Sequence, residues 1–257
     1  MNRTNRTVFM RKSAAAAVLA LLAAAVFSGC VVVSFTTASA EGMERGRGPL
    51  IEKRFETGPY TEIEIRADVA VVYSKEPSDA VVVKIQENLA ELLRVEAQGD
   101  LLVVEAERRF LTQENETPVL YISAPELTRL QAAGEFEFRG GDTISGERFA
   151  LYVEGSAEID MDLDVQLLTV DLAGASATRL SGAAEEARID VSGAGNLDAL
   201  ELDTVRAAVR MSGAGNASIS CSETLDVSLN GAASLKYRGK PAMTSDIRGA
   251  GSVHAVK

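Results

Sequence analysis

The sequence predicts an all-β chain, and within that class a right-handed parallel β-helix, or β-solenoid, with rungs of about 19 residues. Three observations predict it. Glycines recur at Gly134, Gly155, Gly174, Gly193, Gly213, Gly231 and Gly249, spaced 21, 19, 19, 20, 18 and 18 residues apart. The positions two and four residues before each glycine are apolar in thirteen of fourteen cases, Ser245 being the exception. The position between them holds Gln131, Tyr152, Asp171, Asp190, Arg210, Ser228 and Asp246. Such alternation has the period of a strand with one face in and one face out.

A second short strand follows most of the glycines, as in Ile159/Met161/Leu163, Leu197/Ala199, Ala217/Ile219/Cys221, Leu235/Tyr237 and Val253/Ala255. The unit at 177–182 is one residue short. Each unit is too small to close its own core, so neighbours must stack at about 4.8 Å to bury it. The turns then have a structural reading: Gly155, Gly174, Gly193, Gly195, Gly213, Gly215, Gly231, Gly249 and Gly251 are stacked corners. Glycine tolerates the sharp bend, and the close stacking admits no larger side chain. Ala or Ser follows each aligned glycine from Gly155 to Gly249, and Asn196/Asn216 and Ser234/Ser252 form polar ladders beside them. Gly213→Val is predicted to destabilise the domain strongly.

Composition fits stacked thin layers, with 21 glycines, no Trp and only 5% aromatic residues. The first 29 residues read as a lipoprotein-type signal peptide. Arg3, Arg6, Arg11 and Lys12 precede an apolar run, and Phe27-Ser28-Gly29-Cys30 resembles a lipobox whose Cys30 takes the lipid, with Phe27 where an aliphatic residue is usual. Cleavage after Ala38-Ser39-Ala40 is an alternative, and an uncleaved anchor running to Phe35 is a third reading. All three predict export across a bacterial inner membrane. The compartment expected is the cell envelope: an outer-membrane or periplasm-facing lipoprotein, or the cell surface. Residues 30–49 read as a linker, 50–130 as irregular first coils or a cap, and 131–257 as regular repeats. Within 50–130, strands are expected at 60–74, 80–85, either side of Gly99-Asp100 and at 118–125, with one helical turn at 87–93.

The formal net charge is −11, and the four basic residues before Cys30 leave −15 on the remainder. That balance excludes nucleic acid and anionic lipid headgroups as expected partners. With Cys30 lipidated or removed, Cys221 stands alone, so no disulfide framework is expected. Its spacing from Ile219 makes it a small buried hydrophobe.

Four chemical readings compete with a purely structural one. Gly193-Ala194-Gly195 lacks the third glycine and the helix that a dinucleotide fingerprint requires. "GAGNLD" lacks the nine-residue period of calcium-binding β-rolls, and Ser218 and Lys236 take the place of Asp198. Asp160, Asp162 and Asp164 share a strand face about 6.6 Å apart, too far for joint coordination of one calcium, so they read as a solvated stripe. His254 is the only histidine, which removes His-based metal clusters and a Ser-His-Asp triad. No catalytic residue, metal or cofactor is expected. Outward Asp171 and Asp190 keep a glycan-processing β-helix enzyme as the rival class, but Arg210 and Ser228 interrupt that column.

"RFETGPYTEIEIRADVAVVYS", "ENLAELLRVEAQGDLLVVEA", "IDVSGAGNLDALEL" and "VRMSGAGNASI" together resemble the head-GIN domain, the family of putative auto-transporter adhesins. The resemblance runs from about Phe55 to Lys257. It implies a β-helical exported domain, often lipid-anchored, and offers no catalytic residues. The function expected is therefore non-enzymatic: adhesion, or binding of an envelope or extracellular glycan or protein. Membrane attachment is expected through Cys30. Self-association through an exposed edge near "GSVHAVK" is a further expectation.

Overall fold

A computed structural model describes residues 43–113 and 116–257. Thirteen strands are assigned among them: β1 (Glu44–Arg45), β2 (Leu50–Glu56), β3 (Glu62–Arg66), β4 (Val69–Ser74), β5 (Ala80–Gln86), β6 (Leu93–Gln98), β7 (Leu101–Ala106), β8 (Phe110–Leu111), β9 (Val119–Ser123), β10 (Arg129–Gly141), β11 (Ile144–Arg238), β12 (Ala242–Gly249) and β13 (Ser252–Val256). A 3-10 helix covers Glu87–Leu92, where the sequence predicts a helical turn.

The all-β class stands, with 78% of the described residues in strands, but the parallel β-helix expectation is corrected. Apart from the small β1–β8 pair, the strands join one eleven-stranded sheet that curls until nearly closed, like a barrel, and their order is mixed. Along the path β2-β5-β9-β4-β10-β3-β7-β6, the pairs β2–β5, β5–β9 and β6–β7 are antiparallel, whereas β4–β9, β10–β4, β10–β3 and β3–β7 are parallel. A solenoid coils in one direction and has no antiparallel reversals. The chain reverses at Gly99-Asp100, where φ of +64° at Gly99 lets β6 and β7 form a hairpin. Alternation along a strand says which face is buried. It does not say which way the neighbouring strand runs.

Strand β10 shows how the sheet curls. Its first half pairs with β3, from Arg129↔Glu62 to Ala132↔Ile65. Past Gly134 it pairs with β4, from Phe136↔Val69 to Phe138↔Val71. On its other edge it runs parallel to β11, with Gly134 opposite Gly155. β11 itself has 95 residues and would reach roughly 310 Å if straight, so it must bend repeatedly and return on itself. Positive φ at Gly155, Gly174, Gly182, Gly193, Gly213 and Gly231 gives it sharp turns. β12 and β13 then lie parallel to the last part of β11, with Gly231 opposite Gly249 and Ser234 opposite Ser252.

One continuous core fills the interior, from Tyr60 and Ile63 through Phe136 and Phe149 to Leu229 and Leu235. Within β11 the burial alternates as the side-chain pattern requires: Ile189, Val191, Val209, Met211, Val227 and Leu229 are buried, and Ser192, Arg210 and Asp226 are exposed. Each such buried aliphatic contributes about 1.5–3 kcal/mol. Small Ala199, Ala207 and Ala217 and large Phe136 and Phe149 are all buried in the core.

Candidate functional site

The glycines form one column. A Cβ built on Gly155, Gly174, Gly193, Gly213, Gly231 or Gly249 would fall against the carbonyl of the preceding glycine in the series Gly134, Gly155, Gly174, Gly193, Gly213 and Gly231. All seven have positive φ. Gly195, Gly215 and Gly251 do not, and closeness alone explains them: a Cβ on Gly195 would lie 2.6 Å from Val191 Cγ1 and 2.9 Å from Ser176 Oγ. The column is a backbone feature and carries no reactive group. Cys30, both cleavage sites and the signal segment lie outside the described residues. β1 lies inside the stretch read as a linker and pairs with β8.

Just beyond the glycine column the outer surface forms an open groove of about 520 Å³. Its construction follows from strand alternation. Ile159, Thr178, Leu197, Ala217 and Leu235 point into the core. Their neighbours on either side therefore point out, placing Glu158, Asp160, Arg179, Asn196, Asp198, Asn216, Ser218, Ser234 and Lys236 along the groove. Parallel passes set these groups in rows. Asn216 Nδ2 donates to Asn196 Oδ1 at 3.1 Å, and Ser252 Oγ donates to Ser234 Oγ at 3.3 Å. Ser218 Oγ donates to Asp198 Oδ1 at 2.8 Å. Arg179 Nη2 meets Glu201 Oε2 at 2.9 Å. That hydrogen bond and charge, with Asp198 and Asp160 nearby, hold the guanidinium more firmly protonated than usual.

A second groove of about 830 Å³ lies further along the same passes, lined by Asp164, Glu185, Asp203 and Lys240 among serines and small residues. Thr204 Oγ1 donates to the Ser220 carbonyl at 2.6 Å, and Arg206 Nη2 meets Glu185 Oε1 at 2.8 Å. The acidic stripe is divided between the two: Asp160 lines the first groove and Asp164 the second. Asp162, between them, accepts hydrogen bonds from Thr143 at 2.6 Å and Ser181 at 3.3 Å.

Among the described residues, no three His, Cys, Asp or Glu side chains gather as a metal site. His254 is exposed on β13. Cys221 is buried, its thiol 3.0 Å from the Thr224 carbonyl. Asp190 is met by Arg210 at 3.6 Å, so the Asp171–Asp190 column ends in an ion pair. The grooves themselves were not found by sequence reasoning. Their signal lies in the columns that flank the inward residues, 158/177/196/216 and 160/179/198/218, where only the Asn and Ser rows stand out by residue type.

Open grooves bordered by rows of polar side chains on a curled sheet define an all-β surface module. The family model "Putative auto-transporter adhesin, head GIN domain" matches residues 59–241, and the chain belongs to that family. The family is adhesin-type, a class that is exported or surface-displayed. Among solved structures, the chain is similar to "a putative adhesin" from Bacteroides fragilis, with a TM-score of 0.76 and 19% identity over 82% of this chain and 99% of that one. It is also similar to a "putative lipid binding protein" from Parabacteroides distasonis, with a TM-score of 0.64 and 19% identity over 83% of this chain and 99% of that one. A further "putative adhesin" from the same species gives 0.62 and 19% over 83% and 100%. No match is found among the curated proteins. No helix among the described residues is long and apolar enough to cross a membrane.

Proposed function

We propose that this chain is a non-enzymatic, exported adhesin-type module whose first groove binds an extended glycan of the envelope or the extracellular surface. The observation that carries this reading is the hydrogen-bonded row Asn196–Asn216 beside Asp198–Ser218 and Arg179, all facing one open groove. Amides, hydroxyls and carboxylates offer paired donors and acceptors suited to sugar hydroxyls. Rows repeating at about 4.8 Å suit a ligand that itself repeats at about the length of one sugar unit. The lining also includes Ile159, Leu197 and Ala217, so the groove offers apolar contact for sugar-ring faces beside the polar groups that meet the hydroxyls. Tethering through a lipidated Cys30 would hold the module at an outer-membrane or periplasmic face.

Calorimetric titration of the full chain in non-ionic detergent with β-1,4-linked amino-sugar oligosaccharides tests the reading. Binding is expected, weakened at least tenfold in Asn196→Ala/Asn216→Ala with the melting temperature unchanged. Binding that ignores this double substitution would place the ligand elsewhere, and shortening of the oligosaccharide would make the chain an enzyme. For the anchor, palmitate should label the wild type in cells and not Cys30→Ser.

A further inference from the structure

The last layer of the sheet carries an interaction surface. β12 pairs with β11 and, among the described residues, with nothing else, so its outer row of backbone N–H and C=O groups is open. Its inward side is open too. Met243 and Ile247 stand directly beside Leu225 and Leu229. Those leucines are 0% and 1% exposed, whereas Met243 and Ile247 are 42% and 41% exposed. The core columns thus run to the end of the sheet and stop with their last apolar members uncovered.

The charge pattern of this strand identifies what covers it. In "AMTSDIRG" the outward residues Asp246 and Arg248 flank Ile247 and form an ion pair at 2.9 Å, both well exposed. We propose that β12 pairs antiparallel with β12 of a second copy of this chain, about a two-fold axis at Ile247. In that register Asp246 of each chain faces Arg248 of the other, Ser245 faces Gly249, and Ile247 faces Ile247. Each charge then has only opposite charges as nearest neighbours, along its own strand and across the junction. The facing Ile247 side chains, with Cβ atoms about 4.5–5.5 Å apart, join the two cores, which covers the apolar ends. Moving the axis to Asp246 or to Arg248 sets like charges opposite each other, and an in-register parallel pairing stacks Asp on Asp. The charges therefore select one closed, isologous dimer over an open-ended assembly. Small residues at Ser245 and Gly249, on the same face as Ile247, leave the junction free of obstruction.

Sedimentation velocity of the full chain in non-ionic detergent tests the proposal. The wild type is expected to sediment as a dimer at micromolar concentration. Asp246→Arg and Arg248→Asp are each expected to be monomeric, because each sets like charges across the axis. Mixed in equal amounts, the two variants are expected to dimerise again, since the arginine introduced into one then faces the aspartate introduced into the other. Both side chains are exposed, so folding is not at stake, and circular dichroism checks it. As a second measurement, Ile247→Cys is expected to cross-link to itself on oxidation and Ser245→Cys is not. A monomeric wild type, a single variant that stays dimeric, a mixture that stays monomeric, or open-ended oligomers would each overturn the proposal. Glycan binding at the first groove involves other residues, so the two readings fail separately.

Discussion

Gly213 offers the sharpest test of why the glycine column exists. Its φ is +125°, and an added Cβ would fall on the Gly193 carbonyl, 3.0 Å from that carbon and 3.2 Å from Gly193 Cα. Two separate costs follow for Gly213→Ala. Holding a residue with a Cβ at such a φ costs about 1–3 kcal/mol. Forcing the Cβ against fixed backbone costs about another 1–3 kcal/mol, because the neighbouring pass is held by its own ladder. The sum is about 4 kcal/mol, a large share of the roughly 5–15 kcal/mol that stabilises a typical domain. At about 2–4 °C per kcal/mol for a domain of this size, the melting temperature should fall by about 8–16 °C.

Two other glycines separate the costs. Gly99 has φ +64° and nothing within 4 Å of a built Cβ, so Gly99→Ala carries the backbone cost alone, about 1–2 kcal/mol. Gly146 has neither a positive φ nor a neighbour within 4 Å, so Gly146→Ala should be neutral or about 0.5 kcal/mol stabilising. Differential scanning calorimetry of the three variants should rank Gly213→Ala lowest, then Gly99→Ala, then Gly146→Ala. A Gly213→Ala melting temperature equal to that of Gly99→Ala would refute the steric argument, and one equal to wild type would refute both terms.

Three other outcomes follow from single side chains. Thr178 is buried and its Oγ1 has no hydrogen-bond partner among the described residues, so Thr178→Val should raise stability by about 1 kcal/mol in urea unfolding; a loss would mean that the hydroxyl is satisfied. Burial, helped by the charges of Asp142 and Tyr60, pushes the Tyr73 hydroxyl up to about 12, while it donates to the Ala124 carbonyl at 2.8 Å. The folded state then keeps a proton that the unfolded chain loses near pH 10, so Tyr73 stabilises the fold below about pH 10 and this contribution disappears between about 10 and 12. Burial also raises the Tyr60 hydroxyl, so ultraviolet titration should show two tyrosines ionising late, one of them lost in Tyr73→Phe, which should also flatten the stability loss over that window; an unchanged slope would assign it to another group. Arg179→Ala removes the groove's ion pair with Glu201, both more than half exposed, and should leave the melting temperature nearly unchanged while weakening oligosaccharide binding.

Much of the local structure was legible along the chain. Alternation at Ile189/Val191 and Val209/Met211 named the buried columns, and those residues are in the core. The strands either side of Gly99-Asp100, the turn at 87–92 and the glycine spacing were readable for the same reason: each depends on residues within about one turn or one strand of one another. The antiparallel partners of β5 and β7 were not readable, because Val83 and Val104 are buried whichever way the next strand runs. Nor were the grooves, which arise only when Asp160, Arg179, Asn196 and Asn216 from successive passes are brought side by side.

Burial preference and corner size are properties of single positions, so composition and period specify them: an all-β chain with small, repeated turns and an exported, adhesin-type resemblance. Strand direction, closure of the sheet and the meeting of distant polar columns are properties of pairs of segments far apart in sequence. Their free energies depend on hydrogen-bond ladders and packing that exist only once the segments meet. That is why the uniform parallel coil expected from the repeats at 131–257 gives way, once the antiparallel pairs among residues 50–123 are joined to it, to a mixed, nearly closed sheet. It is also why the uncovered Ile247 and its flanking charges acquire meaning only at the edge where the tertiary structure places them.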